Sequence, residues 1–133
     1  MRVLQIGTAL GLVLVAAACG PPGPKKYDEA KSRACLAAAE GVKVLPPPAS
    51  DFVANTALGG SFRAKLRDNW VTVSFGDTVA NAATIDTAYR NVAGKNVRAG
   101  IDDVLRTNGN AVMLWHKHPS DRDLAVVQNC LKT

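Results

Sequence analysis

Two histidines and two aspartates near the carboxyl end of the chain have the types and spacing closest to a metal site. They are His116, His118, Asp121 and Asp123. In an extended chain, alternate side chains point to the same side, so both imidazoles could reach one Zn²⁺ or Cu²⁺ ion and the carboxylates could add oxygen ligands. Surface histidines and aspartates in the first turn of a helix explain the same residues without a metal. Because Lys117 also places positive charge among them, we favour no metal site and predict no cofactor.

A second group of residues could contact an anionic surface. Arg63, Lys65 and Arg67 alternate with apolar residues, and Trp70 follows shortly after. On one strand face these side chains could meet anionic lipid or an acidic cell-wall polymer. Two simpler explanations stay open: a cation–π contact between Arg67 and Trp70, and basic residues that block association at the edge of a sheet.

Motifs typical of enzymes are absent from the sequence, which contains no nucleophile elbow, Walker loop, HExxH or paired-cysteine motif. The pair Gly59-Gly60 precedes a predicted strand rather than a helix, so it does not predict a phosphate-binding loop. Asp102 and Asp103 lie on a predicted helix, where successive side chains diverge by about 100° and cannot share a proton. We therefore expect a protein that is not an enzyme.

The amino end of the chain has the pattern of an export signal. Arg2 is followed by residues 3–18, which contain no charge and end in three alanines. This apolar stretch is short and flanked by small residues, which is typical of a signal peptide rather than a permanent membrane span. We therefore expect residues 1–18 to be removed.

Cys19 stands directly after the three alanines at 16–18. In residues 15–19 the sequence resembles bacterial lipoprotein precursors, whose small-residue lipobox ends in a cysteine that is acylated and becomes the new amino terminus. Ala16 departs from the pattern, since Leu is more usual there. The resemblance implies lipid on Cys19 and attachment to the extracytoplasmic side of the cell membrane. The alternative is cleavage by the ordinary signal peptidase, which would give a soluble secreted protein.

The expected lipid on Cys19 divides the three cysteines of the chain into one acylated residue and one possible pair. If Cys19 carries lipid, Cys35 and Cys130 remain as an even pair in an oxidising compartment. A disulfide between them would close a loop of about 95 residues, worth about 4–5 kcal/mol in the chain-entropy model. The other interpretation is a pair of buried free cysteines that behave as small apolar residues.

The remaining chain divides into a tether and a folded part. Residues 19–26 are rich in proline and glycine, so they predict an extended, solvated tether that ends in Lys25 and Lys26. Residues 27–133 are predicted to form a single domain. Loss of Arg2 with the signal lowers the formal net charge of the chain from +5 to +4, too little for us to expect nucleic acid as a partner.

The clearest fold signal is a hairpin over residues 61–75, built from two segments of alternating apolar and polar residues. A two-residue loop at 68–69 would pair Leu66 with Val71, Ala64 with Val73, and Phe62 with Phe75, which leaves these six on one face. The continuous apolar run at 111–115 predicts a central strand over 111–116.

Helices are predicted around this hairpin and strand. An alanine-rich segment that ends before Gly41 indicates a helix at 27–40. Amphipathic segments indicate helices at 77–92, 97–106 and 120–131, and a short strand is predicted at 42–45. The order is α-β-β-β-α-α-β-α. It predicts an α+β fold with a small mixed sheet of three or four strands, helices packed on one face, and a parallel crossover between the strands at 70–75 and 111–116.

Together these features favour a lipid-anchored extracytoplasmic envelope domain, non-catalytic, that binds or assembles with another envelope component. Its expected partners are the membrane through lipid on Cys19, and an envelope protein or anionic polymer. The alternative is a small exported metal-binding protein or enzyme that uses His116, His118, Asp121 and Asp123.

Overall fold

The computed structural model describes residues 24–133. The predicted signal peptide at 1–18, Cys19 and most of the predicted tether at 19–26 lie outside the described residues. Within them, no helix has the length and apolar character needed to cross a membrane. The helices are α1 (Glu29–Ala38), α2 (Phe52–Asn55), α3 (Val79–Val92), α4 (Lys95–Arg98), α5 (Ile101–Val104) and α6 (Asp121–Asn129). The strands are β1 (Val42–Leu45), β2 (Ser61–Leu66), β3 (Asn69–Phe75), β4 (Leu105–Asn108) and β5 (Ala111–Trp115).

These elements confirm the predicted α+β class, but the sheet differs from the prediction. It has five strands in the order β1-β2-β3-β5-β4, and every neighbouring pair is antiparallel. The predicted mixed sheet of three or four strands and the predicted parallel crossover are therefore wrong. The physical reason is the presence of β4. After β4 the chain turns at Gly109 and continues as β5, antiparallel to β4.

The predicted element order is also incomplete. Residues 52–55 form α2, a short helix that the predicted order omits, and the predicted helix at 97–106 is divided between α4, α5 and β4. Gly100 lies between the two short helices. Glycine disfavours a continuous helix there, and the last predicted helical residues, Leu105 and Arg106, instead pair with β5.

The hairpin of β2 and β3 keeps the predicted faces but has a different register. Its loop is Arg67 and Asp68 rather than residues 68–69, so Leu66 pairs with Asn69, Ala64 with Val71, and Phe62 with Val73. A shift of two residues retains the face of every side chain. The six apolar side chains predicted to share one face are all buried, at 3 % exposure or less.

Asn69 explains the change of register. Its side-chain amide donates to the carbonyl of Lys117 at 3.0 Å, and its side-chain oxygen accepts from the Lys117 N–H at 3.2 Å. These bonds hold Asn69 as the first residue of β3, and Arg67 takes the left-handed conformation of the turn, with φ of 28°.

The main core lies on one face of the sheet, under α1 and α6. It contains Leu36 and Val127 from the helices and Phe62, Val73, Met113 and Trp115 from the strands. Cys35 on α1 and Cys130 at the end of α6 form a disulfide with Cα atoms 5.3 Å apart. This is the pairing that the cysteine count predicts, and it joins the first helix to the last.

A second cluster covers part of the opposite face, so the prediction of helices on one face is wrong. It brings together Val53 of α2, Ile85 of α3, Ile101 of α5 and Val112 of β5. The strand β5 is apolar on both faces and is covered on both. On β1, β2 and the start of β3, the second face is left open.

A buried tyrosine ties α3 to this second face. The Tyr89 hydroxyl lies 3.2 Å from Ser74 Oγ and donates to Asp51 Oδ2 at 3.1 Å. Burial raises the pKa of Tyr89 above its usual value, and the adjacent Asp51 carboxylate adds to the effect. The Ser74 hydrogen bond opposes the shift but does not outweigh it.

Asn110 fixes the point at which the tether joins the folded part. Its side chain, 1 % exposed, accepts from the Tyr27 N–H and donates to the carbonyls of Tyr27 and Gly76. Its backbone N–H donates to the carbonyl of Lys25 at 3.3 Å. The predicted solvated tether is therefore already attached to the domain at Lys25.

Candidate anionic-surface site

The open part of the second face carries a group of basic and aromatic side chains. Strand pairing places Lys43 opposite Lys65, and Lys65 opposite Trp70. Residues directly opposite each other share a face. We define the basic strip as this surface together with its neighbours at the hairpin turn and the end of β5: Lys43, Arg63, Lys65, Arg67, Trp70, His116 and Lys117.

Trp70 lies at the centre of the basic strip and is 36 % exposed. The Arg63 guanidinium carbon lies 4.1 Å from its ring centroid, and the His116 ring lies at 4.8 Å in an edge arrangement. The predicted cation–π partner, Arg67, is replaced by Arg63, because the register shift places Lys65 rather than Arg67 opposite Trp70.

The positive charges of the basic strip are largely uncompensated. Lys117 Nζ pairs with Asp68 Oδ2 at 3.2 Å, and the hydrogen bond and charge of Lys117 hold the pKa of Asp68 below its ordinary value. Within residues 24–133, no ion pair joins Lys43, Arg63 or Lys65 to a carboxylate. The same holds for Arg67.

Two details show that this arrangement is costly for the isolated domain. Lys43 faces Lys65 directly, and like charges at opposite positions on neighbouring strands repel. The Nε atom of Arg63 is buried and has no hydrogen-bond partner among the described residues. An anion bound at the basic strip would relieve the repulsion of the lysines and neutralise part of its charge.

The position of β2 removes one of the two simpler explanations for its cations. β2 pairs with β1 on one side and β3 on the other, so it is not at the edge of the sheet. Protection of an edge therefore cannot account for Arg63 and Lys65, although it applies to Lys43 on β1. The cation–π explanation accounts for Arg63 and leaves Lys65 and Arg67 without a role.

A shallow cleft of about 330 Å³ lies beside Trp70. Its lining combines the turn of the hairpin with the end of β5: Lys65, Arg67, Asp68, Asn69, Trp70, His116 and Lys117. Cationic groups around an exposed aromatic ring suit an anionic ligand with some apolar or planar surface.

The histidines and aspartates proposed as metal ligands have separate partners. His116 packs against Trp70, whereas His118 Nδ1 lies 2.6 Å from Asp103 Oδ1. Asp121 and Asp123 are in the first turn of α6, which is capped by Ser120. Across the described part of the chain, no group of three or more His, Cys, Asp or Glu side chains is arranged to hold a metal ion.

The sequence patterns did not indicate three members of the basic strip: Lys43, His116 as a neighbour of Trp70, and Lys117. The alternation around Lys43 predicts a strand, but no local signal indicates that this strand pairs with β2. The contact between His116 and Trp70 likewise depends on the antiparallel pairing of β3 and β5.

Searches against protein-family models, curated proteins and solved structures find no match to this chain. The chemistry of the basic strip is then the main guide to function. It offers several cations without carboxylate partners, an exposed indole ring and a shallow cleft.

Proposed function

We propose that this protein is a lipid-anchored extracytoplasmic envelope domain that binds a polyanionic envelope component through the basic strip and performs no catalysis. The observation that carries this proposal is the set of cations around the exposed Trp70. Lys43, Arg63, Lys65 and Arg67 have no ion-pair partner within residues 24–133, and their shared chemistry is recognition of phosphate or carboxylate groups.

The anchor and the basic strip would lie at opposite ends of β5. The tether joins the domain at Lys25, which bonds to Asn110 just before β5, whereas His116 follows the other end of that strand. At about 3.4 Å per residue, the six steps between them span about 20 Å. A tether that starts from a lipidated Cys19 would therefore leave the basic strip free to bind.

The proposal predicts binding that depends on salt and on the number of charges. Each cation near an anionic surface contributes about 1 kcal/mol, so removal of two cations should weaken binding by about 2 kcal/mol, or roughly thirtyfold. The contribution should fall as the ionic strength rises, because the charges are exposed and screened.

The test is calorimetric titration of the unlipidated mature chain, Cys19→Ser, with a polyglycerol-phosphate polymer. In parallel, the same chain is titrated with vesicles that contain anionic phospholipid. The variant Arg63→Gln/Lys65→Gln should lose roughly thirtyfold in affinity for the component that is recognised. The matched control is Lys31→Gln/Arg33→Gln on α1, which removes the same charge from the covered side of the sheet.

The two arms distinguish a polymer from lipid headgroups, which share the same anionic chemistry. Binding to the polymer that is lost in the strip variant and retained in the α1 control supports the proposal. Equal losses in both variants would show that net charge alone drives binding. Binding to neither titrant would contradict the role assigned to the basic strip.

A further inference from the structure

A second surface of the domain is apolar. α2 and α3 border a groove of about 480 Å³, with Val53 and Ile85 on its floor. Three of its lining side chains are exposed to an unusual degree: Phe52 at 74 %, Leu58 at 70 % and Val92 at 67 %. Single exposed apolar residues are ordinary on protein surfaces, but three around one groove form a patch of the kind that marks an interaction site.

We propose that this groove seats the domain on the bilayer, with Phe52 and Leu58 entering the boundary between headgroups and acyl chains. The proposal rests on the proposed anchor for the position of the membrane. It concerns a different surface from the basic strip and a different driving force, which is burial of apolar area.

Direct contacts connect the attachment point of the tether to the groove. Lys25 bonds to Asn110, and the Asn110 side chain donates to the carbonyl of Gly76 at 2.8 Å. Gly76 packs closely against the start of α3, near Asn81, which is the first residue of α3 to line the groove. The near end of the groove thus lies three residue contacts from Lys25, where the tether joins the domain.

The length of the tether is matched to the groove. The six steps from Cys19 to Lys25 are rich in proline and glycine, and at about 3.1 Å per residue they reach about 19 Å. The stretch of α3 from Asn81 to Val92 is about 16 Å long at 1.5 Å per residue. A bilayer that holds a lipid on Cys19 is therefore within reach of the groove along its length.

The charges around this surface also suit a bilayer. All residues that line the groove are uncharged, so contact with acyl chains would bury no ionised group. Lys25 and Lys26 are exposed at the attachment point, where they would meet anionic headgroups. The groove would supply apolar contact and the two lysines electrostatic attraction, the two components of interfacial binding.

The test uses the unlipidated mature chain, Cys19→Ser, and vesicles of phosphatidylcholine with phosphatidylglycerol. This chain retains every residue of the two described core clusters. Flotation is measured in 1 M salt, where a screening length of about 3 Å suppresses binding by exposed charges. The variant Phe52→Ser/Leu58→Ser should lower the partition coefficient at least about tenfold. The matched control is Val97→Ser on α4, which removes an apolar side chain exposed to 54 % outside the groove.

A second readout places the groove in the bilayer directly. In Phe52→Trp, the fluorescence emission of the new indole should shift to shorter wavelength on vesicle binding, and brominated acyl chains should quench it. Circular dichroism checks that each variant is folded. Flotation that survives 1 M salt, falls in the groove variant and persists in the control supports the proposal.

Several results would overturn it. The first two are a protein that does not float with vesicles in 1 M salt, and a partition coefficient that falls as much in Val97→Ser as in the groove variant. The third is a dimer in sedimentation that Phe52→Ser/Leu58→Ser dissociates. These readouts use an unlipidated chain, so their failure would leave the anchor itself untouched. Failure of the anchor would be seen separately, as a mature protein without lipid mass on Cys19.

Discussion

Reduction of the disulfide between Cys35 and Cys130 should lower the free energy of unfolding by about 4–5 kcal/mol without changing the fold. The two residues are separated by 95 positions, and a closed loop of that length removes about 4–5 kcal/mol of chain entropy from the unfolded state. Small domains have a total stability of about 5–15 kcal/mol. The disulfide would therefore supply a large part of the stability of this domain.

Native contacts already hold the two ends of the folded part together without the sulfur atoms. The Asp28 N–H donates to the Lys132 carbonyl at 2.7 Å, and the Lys132 N–H donates to Ser32 Oγ at 3.0 Å. Lys31 Nζ also donates to the Thr133 carbonyl at 3.0 Å. Because none of these bonds involves a sulfur atom, reduction should leave them in place, and the effect of the disulfide should come from the unfolded state.

The assay is urea unfolding of the oxidised protein, the reduced protein and the double variant Cys35→Ala/Cys130→Ala. With the slope of about 1–3 kcal/mol per molar typical of small proteins, a loss of about 4–5 kcal/mol should lower the midpoint by about 1–5 M. The near-ultraviolet signal of Trp115, which is 2 % exposed, should be unchanged in the folded state. A loss below about 2 kcal/mol, or disappearance of the Trp115 signal at zero urea, would contradict a disulfide that acts through the entropy of the unfolded chain.

Two further predictions concern buried polar groups. Asn110→Ala should lower the free energy of unfolding by about 3 kcal/mol in the same urea assay, since it leaves the buried carbonyl of Gly76 and partly buried groups of Tyr27 unpaired; a loss below about 1 kcal/mol would contradict that role. Tyr89→Phe should cost about 1–2 kcal/mol, because Ser74 loses its partner. The pKa of Tyr89 is raised in the folded state from an unfolded value near 10. The contribution of this hydroxyl to the free energy of unfolding should therefore be fully present below about pH 10 and fall as the pH rises above it. Stability curves of the wild type and Tyr89→Phe that fall in parallel above that pH would exclude Tyr89 as the source.

The hairpin and its faces could be predicted because they depend on local alternation. Side chains alternate along each strand, so Phe62 and Val73 face the main core, whereas Arg63 and Thr72 lie on the opposite face of the sheet. The register could not be predicted from the turn pair alone, because the bonds of Asn69 to Lys117 decide it and connect distant parts of the chain.

The rest of the sheet depends on interactions that local patterns do not contain. β4 is only four residues long, and its apolar residues continue the spacing expected of the preceding helix. Only the pairing of β4 with β5 therefore identifies it as a strand. Once β4 is present, β5 runs antiparallel to β3, and this brings His116 beside Trp70. The sequence alone therefore predicts the part of the basic strip that lies on β2 and β3. The residues from β1 and from the end of β5 can be placed only when the pairing of the complete sheet is known.

Binding of a polyanion at the basic strip can be followed through the fluorescence of Trp70. Trp70 is 36 % exposed and Trp115 is 2 % exposed, so a ligand at the strip should change the emission of Trp70 and leave that of Trp115 constant. We expect a saturable change in emission during titration with polyglycerol phosphate, which should be absent in Trp70→Phe and weakened in Arg63→Gln/Lys65→Gln. Calorimetric binding with no change in Trp70 emission would contradict it.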